Sequence, residues 1–263
     1  MAKIIVLLWA LALLPGCYYL QQPATPMPQA YYPAQQGYEV SEVPPVQRQR
    51  DLLVMLPGMG DGIDRFAHEG LVQQVAQAQL PVDVVVVNAH FNYYRSRTLL
   101  TRLQQDVINP AKAMGYQRVH LAGVSLGGFG ALVYWRDVID AAQDTNTAEK
   151  GPGAVLLLTP YLGEPEYYQH LLQKNSQAQA VNEEKNLWPW LESQNLRERK
   201  QWYLGSAQQD EFYTANQLLA ERLRQSNTAT VNGGHNWQSW RELWPTLLRQ
   251  LKRDYYSKVN NYE

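Results

Sequence analysis

Short apolar runs alternate with segments of helical period along residues 51–255. The runs at 84–87 and 155–158 are apolar at every position, as expected of parallel strands that have helices on both faces. Six strands are predicted, at residues 51–56, 82–88, 118–123, 154–159, 201–204 and 228–231. The predicted helices span residues 66–79, 96–114, 126–142, 211–225 and 237–255. This alternation predicts an α/β fold with a doubly wound, mostly parallel sheet of about six strands.

The first residues follow a different pattern. Lys3 precedes an apolar stretch, residues 4–14, that is too short to span a bilayer comfortably and is followed by a Pro-Gly-Cys sequence. We therefore predict a secretory signal peptide over residues 1–16. The segment that follows is rich in Pro, Gln, Tyr and Ala and has neither a helical nor a strand period, so residues 17–47 are predicted to form an extended tether.

Residues 14–17, Leu-Pro-Gly-Cys, resemble the bacterial lipobox. The resemblance implies that Cys17 carries acyl chains such as palmitate, becomes the new N-terminus and anchors the protein, because several chains give stable membrane attachment. Tyr18 stands where an acidic residue commonly signals retention in the inner membrane, so the resemblance favours the outer membrane, facing the periplasm. Cys17 is the only cysteine, which excludes an intramolecular disulfide.

Composition narrows the function of the remaining domain, residues 48–263. The chain has 23 Lys and Arg against 24 Asp and Glu and contains no basic patch with interleaved aromatics, so nucleic-acid binding is not predicted. The spacing of His, Cys, Asp and Glu does not match a metal site. A Walker loop and a dinucleotide-binding glycine fingerprint are both missing from the sequence. We therefore expect no metal and no cofactor.

Ser125 lies between a predicted strand and a predicted helix, in the sequence Gly123-Val124-Ser125-Leu126-Gly127. This is the sequence context of a nucleophile elbow, a sharp turn that presents a serine hydroxyl to substrate. Gly123 and Gly127 stand two residues either side of the serine, where a side chain would collide with the folded-back chain. Ser125 is therefore the candidate nucleophile.

The other candidates follow the last two predicted strands. In an open parallel sheet, ligands bind beyond the carboxyl ends of the strands. Asp210 follows the fifth predicted strand, and His235 follows the sixth. The chain order Ser125, Asp210, His235 is that of the α/β-hydrolase triad and differs from the orders of chymotrypsin and subtilisin.

The elbow and this order make the domain similar to the α/β-hydrolase superfamily, in particular to its esterase-like members. The resemblance implies that His235 takes the Ser125 proton and returns it to the leaving group, while Asp210 orients the imidazole. Glu164, after the fourth predicted strand, and Glu211, beside Asp210, remain alternatives for the acid.

The tetrahedral intermediate of such a reaction needs two hydrogen-bond donors. One is the backbone N–H of Leu126, at the start of the helix after the elbow. The sequence Pro57-Gly58-Met59-Gly60 after the first predicted strand resembles the oxyanion loop of the family, which favours the N–H of Met59 as the second donor, with Gly58 as the alternative.

The regular alternation stops between residues 161 and 200, where hydrolases carry a cap, so a small cap is predicted there. Its aromatic residues are equally consistent with covering the cleft and with packing a surface helix pair. Tyr161 and His90, which follow two of the predicted strands, are candidates for substrate contact. His90 is also the main alternative to His235 as the base.

These features together predict a lipid-anchored serine hydrolase, a carboxylesterase or deacylase that acts on a small-molecule or lipid ester through an acyl-enzyme. An acyltransferase would use the same three residues. A noncatalytic envelope scaffold or binding lipoprotein with a hydrolase fold is the alternative from another class.

Overall fold

One seven-stranded sheet organises the part of the chain that the computed structural model describes, residues 21–34, 37, 39–41, 50–140, 153–173 and 185–256. Its strands are β1 (Gln29–Tyr32), β2 (Asp51–Leu56), β3 (Val82–Val87), β4 (Val119–Val124), β5 (Val155–Leu158), β6 (Trp202–Ala207) and β7 (Thr228–Val231). They lie in the order β1-β3-β2-β4-β5-β6-β7. All neighbours are parallel except β1, which runs antiparallel to β3. The predicted fold class, a doubly wound and mostly parallel α/β sheet, is confirmed.

The helices that cover the sheet are α1 (Arg65–His68), α2 (Leu71–Gln77), α3 (Phe91–Arg95), α4 (Leu99–Arg102), α5 (Asn109–Ala113), α6 (Leu126–Tyr134), α7 (Gln169–Leu172), α8 (Trp188–Ser193), α9 (Tyr213–Ala220) and α10 (Trp237–Tyr255). A π-helical segment, Leu103–Ile108, joins α4 to α5, and another, Trp135–Asp140, continues α6. Short 3₁₀ helices span Pro165–Tyr167 and Gln225–Asn227.

The sheet is buried on both faces. Alternate residues of one strand belong to different hydrophobic clusters: Leu52 and Val54 point to one side, Leu53 and Met55 to the other, and all four are buried. Helices must therefore cover both sides, which explains why these strands are apolar at every position instead of alternating. This arrangement brings the carboxyl ends of β2 to β7 to one edge of the sheet, called here the carboxyl edge.

Several helix boundaries differ from the sequence prediction. The helix predicted over residues 66–79 is divided into α1 and α2 at Gly70, whose φ of 80° is incompatible with a continuing α-helix. The helix predicted over 96–114 begins at Leu99 and has a π-helical centre. The helix predicted over 211–225 is shorter, because α9 ends at Ala220.

The tether predicted over residues 17–47 is wrong for its described part, because residues 21–34 pack against the domain. Gln29 pairs with Val87 and Tyr32 with Val84, so that β1 covers the outer edge of β3. Met27 just before it is 1% exposed. An uncovered edge strand presents unpaired N–H and C=O groups, and β1 satisfies those of β3. The domain therefore begins before residue 48.

The predicted signal peptide, residues 1–16, and Cys17 lie outside the described residues. Among the described helices, we find none whose length and hydrophobicity would let it cross a membrane.

Candidate active site

Ser125 occupies a strained turn between β4 and α6. Its φ is 52° and its ψ is −117°, a conformation that side-chain-bearing residues rarely adopt. A Cβ added to Gly123 would lie 2.3 Å from the carbonyl carbon of Gly127, and one added to Gly127 would lie 2.1 Å from the Leu56 oxygen. Gly123 therefore lets the two arms of the turn approach each other, and Gly127 lets the turn approach the end of β2. The turn projects the Ser125 hydroxyl from the carboxyl edge.

Ser125, His235 and Asp210 form a continuous hydrogen-bonded series. His235 Nε2 lies 2.9 Å from Ser125 Oγ, and His235 Nδ1 lies 2.7 Å from Asp210 Oδ2. An ionised carboxylate only accepts hydrogen bonds, so the proton of neutral His235 resides on Nδ1. Nε2 is then left as an acceptor for the Ser125 hydroxyl. The three residues come from three different loops of the carboxyl edge, after β4, β6 and β7.

Asp210 is the carboxylate that the fold directs at His235. Its side chain is 1% exposed, and Oδ1 accepts a hydrogen bond from the Phe212 backbone N–H at 2.8 Å. Glu164, one alternative acid, accepts a hydrogen bond from the Tyr161 hydroxyl at 3.0 Å. Glu211, the other alternative, is exposed to solvent. Asp210 therefore contacts His235, whereas Glu164 contacts Tyr161 and Glu211 faces solvent.

Thr159 and Trp240 complete the surroundings of His235, and the sequence analysis missed both roles. The Thr159 hydroxyl oxygen lies 3.2 Å from His235 Nδ1 and accepts a hydrogen bond from the Trp240 indole N–H at 2.8 Å. The Trp240 ring also packs edge-on against the imidazole, with 5.1 Å between ring centroids. The one available signal was the place of Thr159 at the end of a predicted strand.

The loop after β2 lies against the elbow. A Cβ added to Gly58 would lie 3.7 Å from the Ser125 Cβ, so this backbone borders the nucleophile directly. The Asp61 N–H donates to the Gly58 carbonyl oxygen at 3.2 Å, so the loop turns back on itself beside the elbow. Met59, with Gly58 as the alternative, is the candidate for the second donor to a developing oxyanion.

Asp61 has an unusual environment for a carboxylate close to this loop. Burial raises the pKa of Asp61, and hydrogen bonds from the Trp237 indole and the Gly58 backbone oppose this rise, as does the charge of Arg65. Trp237 Nε1 lies 3.3 Å from Asp61 Oδ1. Asp61 thereby connects the loop after β2 to the start of α10, close to His235 in sequence.

Leu126 provides the first N–H of α6, a position that has no acceptor within its helix. A residue outside α6 holds the peptide group between Leu126 and Gly127, because the Tyr94 hydroxyl donates to the Leu126 carbonyl oxygen at 3.1 Å. The Leu126 N–H and the loop after β2 both border Ser125, as a two-donor oxyanion site requires.

His90 and Tyr161, the two predicted substrate contacts, have different surroundings. His90 is 1% exposed, caps α3 by accepting from the Asn92 N–H at 3.3 Å, and packs on Tyr93. Burial lowers the pKa of His90, and a hydrogen bond with the Gln22 backbone opposes that change. It is directed into α3 and the N-terminal segment, whereas His235 contacts Ser125.

Tyr161 borders the nucleophile and belongs to a row of aromatic rings. Its N–H donates to the Ser125 carbonyl oxygen at 3.1 Å. Its ring packs edge-on against Phe129 at 5.8 Å and Phe212 at 5.5 Å, and Phe212 packs on His235 at 4.9 Å. All four rings are only partly buried. The row is an apolar surface that starts at the imidazole.

Most aromatic residues of the predicted cap, residues 161–200, pack on the domain instead of facing this row. Trp188 is fully buried, and its indole N–H donates to the Leu162 carbonyl at 3.0 Å. Trp190 packs on Trp202 of β6, with 5.6 Å between ring centroids. Within the described part of the cap, these side chains favour the packing interpretation over covering of the cleft.

The described residues contain no group of three or more His, Cys, Asp or Glu side chains that could hold a metal ion.

Comparisons with known proteins give structural likenesses only. The sequence matches no protein-family model and no curated protein sequence. The structure is similar to an S-formylglutathione hydrolase of Staphylococcus aureus, with a TM-score of 0.55 and 14% identity over 79% of this chain and 83% of that one. It is similar to the fluorophosphonate-binding serine hydrolase F of the same organism, with a TM-score of 0.54 and 14% identity over 85% and 91%. It is also similar to a ferulic acid esterase, with a TM-score of 0.53 and 16% identity over 78% and 87%. The chain has the α/β-hydrolase fold.

Proposed function

We propose that this protein is a serine hydrolase that cleaves carboxylic esters through a covalent acyl-enzyme. The observation that carries the proposal is the pair of contacts at His235, 2.9 Å from Ser125 Oγ and 2.7 Å from Asp210 Oδ2. A hydroxyl held against an unprotonated imidazole nitrogen is an activated nucleophile. A carboxylate on the opposite nitrogen stabilises the imidazolium that forms when the proton moves.

The proposed reaction has two halves. His235 Nε2 takes the Ser125 proton as Oγ attacks the ester carbonyl, and the negative oxygen of the tetrahedral intermediate accepts from the N–H groups of Leu126 and Met59. The intermediate collapses, the bond to the alcohol oxygen breaks, and His235 gives its proton to the leaving alkoxide. Water, deprotonated by His235, then attacks the acyl-Ser125 ester, and the carboxylic acid leaves as Oγ recovers its proton.

The substrate is proposed to carry an apolar group beside the scissile bond. Support comes from three partly exposed rings that form a row starting at His235. Phe212 packs on His235, Tyr161 packs on Phe212, and Phe129 packs on Tyr161. Aromatic faces favour contact with hydrocarbon and with other rings over contact with charged groups. A small aryl or alkyl ester and a lipid ester both satisfy this requirement.

We also propose that acyl chains on Cys17 anchor the enzyme in the bacterial envelope, in the outer membrane and facing the periplasm. The support is in the sequence, where an apolar stretch is followed by Leu-Pro-Gly-Cys and then by Tyr18. Replacement of Cys17 by Ala is expected to move the protein from the membrane fraction to the soluble fraction. Mass spectrometry of the mature N-terminus would identify the acyl chains directly.

The test of the activity is labelling with a fluorophosphonate probe together with hydrolysis of short aryl esters. The full chain is compared with Ser125→Ala and His235→Ala, and with Ser226→Ala as a control at an exposed serine far from the triad in the fold. We expect label and turnover to be lost in the first two variants, with turnover falling by roughly 10⁴- to 10⁶-fold, and to be kept in the control. A folded wild-type protein without label or turnover would instead favour the noncatalytic scaffold.

A further inference from the structure

The loop after β2, residues 57–62, has glycine at three of its six positions. Glycine has more backbone conformations than any other residue, and Gly60 has a φ of 90°, which other residues rarely adopt. The Met59 side chain is 52% exposed and therefore does little to hold the loop. The local sequence by itself does not fix the direction of the Met59 N–H, the candidate oxyanion donor, so a contact from outside the loop is needed.

Asp61 provides such a contact. Its side chain is only 16% exposed, and its Oδ1 accepts a hydrogen bond from the Trp237 indole N–H at 3.3 Å. The Asp61 backbone N–H donates to the Gly58 carbonyl oxygen at 3.2 Å, which closes a four-residue turn with Met59 and Gly60 at its centre. The Met59 peptide thus lies within a turn whose last residue is attached to α10.

The Asp61 carboxylate lies close to the nucleophile as well as to this turn. A Cβ added to Gly58 would lie 2.9 Å from Asp61 Oδ2 and 3.7 Å from Ser125 Cβ. The carboxylate and the nucleophile therefore border the same side of Gly58. A displacement of Asp61 would displace the backbone that faces Ser125.

A second connection joins Asp61 to α10 through three charged side chains. Arg65 Nε lies 3.8 Å from Asp61 Oδ1, and Arg65 Nη2 lies 2.7 Å from Glu69 Oε1. Glu69, whose side chain is 8% exposed, also lies 2.6 Å from Arg241 Nη1 through its other oxygen. Both connections from the loop therefore end on the same helix.

The first turn of α10 also contacts the candidate general base. The Trp237 ring packs edge-on against Trp240 with 4.9 Å between centroids, and Trp240 packs edge-on against His235 at 5.1 Å. Trp237 is held on another side by Phe66, at 5.6 Å. One helical turn thus contacts both the imidazole and the loop that carries the candidate oxyanion donor.

We propose that Asp61 is a positioning residue of the oxyanion site, and that its hydrogen bond with Trp237 holds the Met59 N–H where the negative charge develops. The inference rests on the proposed hydrolase activity. An oxyanion donor is effective because it is aimed at the negative oxygen before the reaction begins. Loss of the contact between Asp61 and Trp237 therefore weakens binding of the transition state and leaves substrate binding nearly unchanged.

The variants that test this role separate the hydrogen bond from the packing. Trp237→Phe keeps an aromatic ring and removes the indole N–H, Asp61→Ala removes the acceptor, and Asp61→Asn keeps an acceptor oxygen. Trp190→Phe is the matched control, because the Trp190 indole donates to the Asp140 carboxylate at 2.9 Å. That bond lies beside Trp202, the first residue of β6 and hence at the edge opposite the triad.

The first measurement is steady-state hydrolysis of a short aryl ester by the full chain. We expect kcat to fall roughly 10- to 100-fold in Trp237→Phe and Asp61→Ala, with KM changed by less than about twofold. Asp61→Asn should recover most of the loss, and Trp190→Phe should keep the wild-type kcat. A loss in Trp190→Phe as large as that in Trp237→Phe would contradict the proposal.

The second measurement is inhibition by an aryl trifluoromethyl ketone. Ser125 Oγ adds to the ketone carbon, the ketone oxygen becomes the negative oxygen of a tetrahedral adduct, and His235 takes the proton. The inhibition constant should rise by the factor by which kcat/KM falls. Partial unfolding would lower the concentration of active enzyme without changing this constant. A lower kcat with unchanged ketone affinity would therefore assign Asp61 a merely structural role.

The double variant Asp61→Ala/Trp237→Phe tests whether the two side chains act through one contact. Its kcat should equal that of Asp61→Ala, because the contact is already lost there. Losses that multiply would show that Trp237 acts through Trp240 and His235 instead, against the proposal. A folded wild type without fluorophosphonate label or turnover would overturn the hydrolase function and this inference with it. An active wild type with equally active Asp61→Ala and Trp237→Phe would overturn the positioning role alone.

Discussion

The Thr159 hydroxyl oxygen lies 3.2 Å from His235 Nδ1, the nitrogen that also binds Asp210. Because Nδ1 donates to the carboxylate, Thr159 can only share that proton as a second acceptor. Thr159 is fully buried and has a φ of 38°, which is an outlier for a β-branched residue. Backbone strain of this kind persists where the surrounding structure enforces it. We interpret Thr159 as a residue that positions the imidazole, held in turn by Trp240.

Replacement of Thr159 by Val removes this acceptor and keeps the β-branched shape. A hydrogen bond to a charged group contributes about 1.5–3 kcal/mol, so kcat is expected to fall roughly 10- to 100-fold with little change in KM. Thr159→Ser, which restores the hydroxyl, should recover most of the lost kcat. An unchanged kcat in Thr159→Val would assign Thr159 a purely structural role.

The identity of the triad acid gives a second prediction. Asp210→Asn preserves the shape but removes the charge that fixes the His235 tautomer, so we expect kcat to fall by about 10³- to 10⁴-fold. Glu164→Gln and Glu211→Gln are matched controls and should keep nearly the wild-type kcat, because the first contacts Tyr161 and the second is exposed. Steady-state kinetics of the three variants measures this. Loss of activity in either glutamine variant would move the acid to that position.

The strands were predictable because each contributes a short, continuous apolar run that the covering helices require. β2 and β7 have the predicted bounds. β1 was missed because its sequence, Gln-Ala-Tyr-Tyr, lies in a Pro- and Gln-rich segment without a period. Its strand conformation comes from pairing with β3, a tertiary contact that no local pattern records.

The candidate site, like the fold, was predictable from the sequence only in part. Ser125, Asp210 and His235 could be selected because each follows a predicted strand, and parallel strands end at one edge. The roles of Thr159 and Trp240 depend on the angle at which α10 crosses the sheet, which spacing along the chain does not specify.

The tight elbow predicts a large difference between two glycines. In Gly127→Ala the new Cβ would meet the Leu56 backbone oxygen at 2.1 Å, and β2 cannot yield without disturbing the centre of the sheet. In Gly234→Ala the nearest atoms are at 3.4 and 3.8 Å, ordinary contact distances. We expect Gly127→Ala to lower the melting temperature strongly or to prevent folding, whereas Gly234→Ala should melt close to the wild type. Similar melting temperatures for the two variants would argue against this elbow geometry.

The N-terminal segment should contribute to the stability of the domain. Met27 is 1% exposed, while Met59 is 52% exposed, so the same substitution can be compared at both. Met27→Ala is expected to lower the free energy of unfolding by about 2–5 kcal/mol, and Met59→Ala by about 0.5 kcal/mol or less. Urea unfolding of the two variants measures the difference. Equal, small effects would return residues 21–34 to the role of a loose tether.

A buried cluster at the amino ends of β2 and β4 should make the fold sensitive to acid. Asp51 Oδ2 accepts a hydrogen bond from Arg118 Nε at 2.9 Å and one from the Tyr256 hydroxyl, and Arg118 Nη2 forms an ion pair with the same oxygen at 2.9 Å. His120 lies 3.4 Å from the same carboxylate and is completely buried. Burial lowers the pKa of His120 from 6.5, and its hydrogen bond and charge interaction with Asp51 oppose this change. The imidazole is therefore stabilised in its neutral form.

Burial alone would raise the pKa of Asp51, but hydrogen bonds from His120, Tyr256 and Arg118 lower it from 3.8 to about 2. The folded state thus binds fewer protons than the unfolded chain at both groups. Stability is lost below pH 6.5 through His120 and again between pH 3.8 and about 2 through Asp51, the latter by about 2 kcal/mol. Asp51→Asn should be less stable at neutral pH, with a deficit that shrinks as the pH falls below 3.8. Urea unfolding of both proteins across the acidic range measures this, and a deficit independent of pH in that window would contradict the assignment.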